Sequence, residues 1–339
     1  REANISALTT EVTKLQNLRS LRCSRRSGSG YFSIIDNPKE CLMITMCLPM
    51  VFLTSINFSD RVKLIPEICM SCSTRWSDTK GVRVPRGIDN LKELQILEVV
   101  DINRTSRKAI EELGELIQLR KLSVTTKGAT NKKYQIFCAA IEKLSSLQSL
   151  RVDAEGFSDT GTLEWLNSIA CPPPFLKRLK LNGSLADTPN WFGNLKQLVK
   201  MCLSRCGLKD CKTMEILGAL PNLMVLRLYR NAYADEKMTF RRGTFPNLRC
   251  LDIYLLKQLR EIRFEEGTSP TMESIEIYGC RLESGIIGIK HLPRLKIISL
   301  EYDGKVAKLD VLQEEVNTHP NHTELQMAED RSHHDLGGI

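Results

Sequence analysis

The sequence predicts an α/β solenoid, a curved parallel sheet along the inner side of a stack of short repeats, with irregular helical and loop segments outside. Three observations carry this. A leucine skeleton of the form L-x-x-L-x-x-L-x-L returns along most of the 339 residues, and after the first gap its copies are spaced 22 to 29 residues apart. Aromatic residues make up only 6% of the chain, so a large core has to be aliphatic.

The stretch "LPNLMVLRLYR" at 220–230 shows the unit. A helix would place its apolar residues at i, i+3, i+4 and i+7, but Leu226 and Leu228 are two apart, the spacing of a strand with one buried face. The same skeleton appears from Leu15, Asn90, Leu113, Ile141, Phe175, Leu195, Phe245, Met272 and Leu292, giving ten copies in all. Their first strand residues are Leu21, Leu97, Leu122, Leu150, Leu179, Met201, Leu226, Leu251, Ile275 and Ile298. A period of about 20 to 29 residues is that of leucine-rich repeats, whose units cannot bury their leucines alone and therefore stack. The asparagine or cysteine that serves the turn five places after the strand residue appears as Cys206, Asn231 and Cys280, so an irregular, gently curved solenoid is expected.

The chain is expected to divide as follows. Residues 1–30 hold the first repeat, with its outer end covered by an upstream domain. Residues 31–87 hold loop insertions and degenerate repeats, about two of which fit the 76 residues between Leu21 and Leu97, and polar loops are read at 24–37 and 71–87. Residues 88–303 are regular repeats, 304–316 a capping segment and 317–339 a disordered tail. The chain opens on Arg1 without a methionine and is read as part of something longer. Its longest apolar run, 42–53, is 12 residues with Pro49 inside, short of the about 20 a membrane helix needs.

Side chains alternate along a strand, so the partner-facing positions can be counted out. The middle column reads Arg22, Glu98, Ser123, Arg151, Lys180, Cys202, Arg227, Asp252, Glu276 and Ser299, with Arg178 and Lys200 just before it. A basic centre gives way to an acidic C-terminal part. The column after the second leucine carries Tyr229, Tyr254 and Tyr278 in consecutive repeats. Tyrosines bury large area with few rotatable bonds and keep a polar tip, which suits an interface. The same tyrosines could equally brace neighbouring strands, and each charge could be a solvated one.

Several chemistries lack their residues. Cys69 and Cys72 form a C-x-x-C with no second pair, His319, His322, His333 and His334 sit in polar surroundings that suit solvation, and no nucleophile motif is present. No enzyme activity, metal or nucleic-acid partner is expected; Asp252 and Glu276 beside the tyrosines would repel phosphate. The 12 cysteines include strand positions such as Cys202 and Cys250, where they act as small apolar residues, and the chain is read as reduced and cytoplasmic. Five N-x-S/T sequons point the other way.

From about 85 to 303 the sequence resembles the repeats of plant coiled-coil nucleotide-binding leucine-rich-repeat immune receptors, especially those of grasses. The motif around Pro189 and Trp191 ahead of "LKQLVKMCL", and the terminal repeats from Leu217 to Leu300, carry the resemblance. It implies a cytosolic sensor of pathogen effectors whose repeat domain restrains a nucleotide-binding switch. No G-x-x-x-x-G-K-[ST] is present, so ADP or ATP is expected only in a separate nucleotide-binding domain. On this reading Arg151, Arg178, Lys180, Lys200 and Arg227 contact that domain, and Tyr229, Asp252, Tyr254, Glu276 and Tyr278 face an effector or partner receptor. Two other classes stay open: the substrate-recognition repeats of a ubiquitin-ligase F-box protein, and the ectodomain of a cell-surface receptor.

Overall fold

The structure, a computed structural model, describes residues 7–22, 81–154, 161–185, 187–209, 211–301 and 306–328. The chain forms two units, Arg1–Asn4 with Ser24–Lys80 and Ile5–Cys23 with Gly81–Ile339, and the described residues all belong to the second.

The second unit is built on a parallel sheet of eleven strands among the described residues. In chain order its strands are β1 (Ser20–Arg22), β2 (Ile96–Asp101), β3 (Lys121–Thr125), β4 (Ser149–Asp153), β5 (Arg178–Asn182), β6 (Lys200–Ser204), β7 (Val225–Tyr229), β9 (Cys250–Tyr254), β11 (Ser274–Tyr278), β13 (Ile297–Glu301) and β14 (Glu324–Ala328). All ten predicted strand residues fall in one register, from the Leu21↔Leu97 pair through Leu226↔Leu251 to Ile275↔Ile298. From Leu97 onward they are buried and belong to one continuous, mainly aliphatic core. Truncating such a leucine to alanine costs about 2–5 kcal/mol. Each strand is set by its predecessor: the Met224 carbonyl, for example, accepts from the amides of both Arg249 and Cys250. The turn residues act as expected, since the Asn231 side chain accepts from the Lys257 amide at 3.1 Å and the Cys206 and Cys280 thiols donate to nearby carbonyls.

The outer segments differ along the stack. Two early repeats return through helices α1 (Arg107–Leu113), capped by Ser106 accepting from the Ala109 amide at 3.3 Å, and α2 (Asn131–Lys143). In α2, Tyr134, Phe137, Cys138 and Ile141 are the buried stripe that an amphipathic helix presents. A further helix, α3 (Cys211–Gly218), follows β6. Later repeats return through strands, β8 (Lys237–Phe240), β10 (Glu261–Phe264) and β12 (Gly285–Ile287), which form a second parallel sheet over Phe240, Phe245 and Phe264. This sheet was not expected. A strand advances about 3.3 Å per residue against about 1.5 Å in a helix, so an extended return closes a shorter repeat. Trp191 is structural, as its position suggests: it lies buried against Phe192, and its Nε1 donates to the Leu166 carbonyl at 2.8 Å.

One expectation needs correction. β1 pairs directly with β2 in the sheet; the degenerate repeats expected from 31 and the loops at 24–37 and 71–80 lie outside the described residues, which resume at 81. Residues 317–328 are not a disordered tail. Helix α4 (Leu309–Asn317), expected as a cap, is the outer segment of one more repeat, which ends in β14. Its skeleton is unreadable because the leucine places six and three ahead of Leu325, set by its pairing with Ile298, hold His319 and His322, and Thr323 rather than His322 is turned inward. His319 and Thr323 are buried, bonded to each other at 2.8 Å, and Thr323 donates to the Leu295 carbonyl. His319 is therefore a core residue, while His322 is exposed; residues 329–339 lie outside the described residues.

Candidate protein-interaction face

The register turns the predicted columns into physical rows. Ser123, Arg151, Lys180, Cys202, Arg227, Asp252, Glu276 and Ser299 stand side by side across β3 to β13, and Tyr229, Tyr254 and Tyr278 form the adjacent row. Glu98 alone is displaced, by a bulge in β2 after Leu97.

In the β4 to β6 region the charges remain accessible. Arg178 is exposed, and Arg151, Lys180 and Lys200 are half-buried. Arg151 lies 3.8 Å from Asp153 on the same strand. Burial pushes the Asp153 carboxyl up to about 6, against the pull of Arg151 and a 3.0 Å hydrogen bond from Asn182. Arg120 and Lys177, two places ahead of their strand leucines, extend the basic edge outward and are exposed. The sequence reading missed them because their position was not counted as part of the face. Asp153 and Asn182 were missed as well, although they occupy the same column as the tyrosines.

In the β7 to β11 region the same row is closed in. Arg227 and Asp252 are 7% and 2% exposed and form an ion pair at 2.5 Å, so two residues assigned to different partners meet each other. Glu276, 5% exposed, stands next to Asp252, and its Oε2 has no hydrogen-bond partner. Burial pushes its carboxyl up to about 8; the Asp252 charge acts in the same direction and Arg227 opposes both. Above the row, Tyr229 meets Tyr254 edge-on at 5.6 Å and Tyr254 stacks on Tyr278 at 4.8 Å. Tyr229 is buried, whereas Tyr254 and Tyr278 remain half-exposed, so bracing and presentation are divided along the row.

Among the described residues no group of acidic, histidine and cysteine side chains is placed to hold a metal ion, and no helix is long and apolar enough to cross a membrane. Cys138, Cys171, Cys202, Cys206, Cys250 and Cys280 are free thiols. What the face offers is a ladder of side chains on a rigid sheet, the form a protein-binding solenoid takes.

A family model described as "leucine-rich repeat region" matches residues 71–325. The chain belongs to that family. Its relatives bear out the resemblance to plant disease-resistance receptors. It is 27% identical to the disease resistance protein RPM1 of Arabidopsis thaliana, over 65% of this chain and 22% of that protein. It is 25% identical to RGA5 of Oryza sativa subsp. japonica over 70% of this chain and 23% of that protein, and 27% identical to rice Pik-2 over 69% and 25%. The chain thus spans about a quarter of the length of these relatives. Among solved structures, a TLR13–ssRNA13 complex matches at 17% identity with a TM-score of 0.45, over 74% of this chain and 39% of that one.

Proposed function

We propose that this leucine-rich repeat region is the recognition and restraining part of a cytosolic plant immune receptor, acting by binding and without enzyme activity or a cofactor of its own. The accessible basic row supports a contact with an acidic surface of the receptor's own nucleotide-binding domain. The half-exposed Tyr254 and Tyr278 support recognition of a pathogen effector or partner receptor. A ligand that favours one of two receptor states shifts the balance between them by its difference in affinity, which is how binding at one part of the face would release a restraint held at another. The observation that carries the reading is the pairing of Arg178 with Lys200 at the starts of neighbouring strands, with Lys180 two places on, Arg178 being exposed and both lysines half-buried.

The test is the cell-death output of the full-length receptor in leaf tissue, with and without its effector. Arg178→Glu/Lys180→Glu is expected to signal without effector at normal protein level, and Tyr254→Ala/Tyr278→Ala, at the half-exposed rings, to lose the effector-dependent signal. Wild-type behaviour of both would reject the assignment.

A further inference from the structure

We propose that Glu276 and Asp252, with Tyr254 and Tyr278 beside them, form a subsite that accepts one cationic side chain, an arginine or lysine, of a protein partner. This deepens the proposed recognition role of the face and rests on it.

The argument starts from charge on the row. Three ionisable groups stand on adjacent strands, Arg227 on β7, Asp252 on β9 and Glu276 on β11, and the single cation is bonded to Asp252 at 2.5 Å. Glu276 comes last, with Ser299 on its far side. A 5%-exposed carboxyl with an unpartnered Oε2 is costly in a protein interior, where buried polar atoms are almost always bonded. Departures from this rule are expected at functional sites, where an incoming group can complete the bonding.

The surroundings fit a cation. On one flank the row is lined by small side chains, Cys250 and Ser274, both half-exposed, and on the other by the half-exposed rings of Tyr254 and Tyr278, stacked at 4.8 Å. A guanidinium or ammonium entering between them would meet the carboxyl with the tyrosine rings beside it, where an aromatic neighbour favours a cation. The groups facing Glu276 are Asp252 and the Cys250 thiol from β9, Arg227 from β7, Ser274 and Tyr278 from its own strand, and Ser299 from β13. Burial pushes the Cys250 thiol upward, so it stays neutral around pH 7. With Glu276 raised to about 8, the empty subsite holds a proton at neutral pH, and the arriving cation displaces it. Binding is thereby coupled to release of one proton.

The experiment is calorimetric titration of this chain with an acetylated hexa-arginine peptide in phosphate and in Tris, whose different ionisation heats report the proton count. The chain's net charge of +8 works against non-specific attraction of that probe. Wild type should release about one proton per peptide near pH 7 and bind about 25-fold more tightly at pH 8.5 than at pH 6.5. Glu276→Gln, the same shape without the titration, should release none, bind about tenfold more weakly at pH 8.5 and lose the pH dependence. Its melting temperature, at least that of wild type at pH 8.5, shows that it is folded. No binding of the peptide, or binding by Glu276→Gln with unchanged affinity and proton count, overturns the subsite. Loss of effector response in Tyr254→Ala/Tyr278→Ala alongside such a result would leave the recognition face standing without it. A working cation subsite together with silent tyrosine variants would instead reject the recognition role.

Discussion

The two halves of the concave face hold the same kinds of residue in the same column and use them in opposite ways. Around β4 to β6, Arg151, Arg178, Lys180 and Lys200 are exposed or half-buried, and the ion pair there, Arg151 with Asp153, is long at 3.8 Å. Around β7 to β11, Arg227 is buried against Asp252 at 2.5 Å, with Tyr229 and Tyr254 packed together in the adjacent row. Position in the repeat therefore fixes where a side chain points, and its neighbours one strand away decide whether its charge remains available. An exposed cation adds little to stability but can steer a partner, whereas a buried pair is costly to break.

The largest expected effect comes from breaking the buried pair. Asp252→Ala strands Arg227 in the sheet and should destabilise the chain by about 3–5 kcal/mol in urea unfolding, with Glu276 close enough to take over part of the loss. If the pair is as accessible as Arg151 with Asp153, the loss will fall below about 1 kcal/mol.

Next is the pH dependence of the C-terminal half. Glu276 has a folded-state value of about 8 against an unfolded value near 4.5, so the folded state holds the proton more tightly between them. Stability associated with this group is complete below about pH 4.5 and is lost as pH rises through about 8. Glu276→Gln should flatten that decline, and the difference in melting temperature between wild type and variant should grow from pH 5 to pH 9. A constant difference would place the titration elsewhere.

A smaller effect concerns a second ladder on the outer rim. The Asn222 and Asn247 amides donate at 2.7 Å to carbonyls of the preceding repeat, Lys196 and Pro221, and Asn321 does the same to Pro293. Asn247→Ala should cost about 1 kcal/mol, the net value of one such bond. Smallest is Lys180→Ala/Lys200→Ala, expected to change stability by less than about 0.5 kcal/mol.

These cases also show what could be read from sequence. The strand register was legible because leucine recurs wherever the core requires it, and the concave columns followed by counting. The outer ladder was not read, although the Pro-Asn pairs at 221–222, 246–247 and 320–321 repeat, because repetition alone does not say which carbonyl an amide will meet. The last repeat was hidden because its two leucine places hold His319 and His322, and the buried bond between His319 and Thr323 is a substitution that hydropathy cannot detect. The pairing of Arg227 with Asp252 depended on which charges lie one strand apart and how far they are covered. The columns contained the first fact, and only packing supplies the second.

The most direct test of the contrast is a pair of double-mutant cycles in this chain, one for Arg227 with Asp252 and one for Arg151 with Asp153, each read by urea unfolding at pH 7. The account predicts a coupling above about 1.5 kcal/mol for the first and below about 0.5 kcal/mol for the second. Equal couplings, or a larger one for Arg151 with Asp153, would contradict the division of the face into a more exposed half and a buried half.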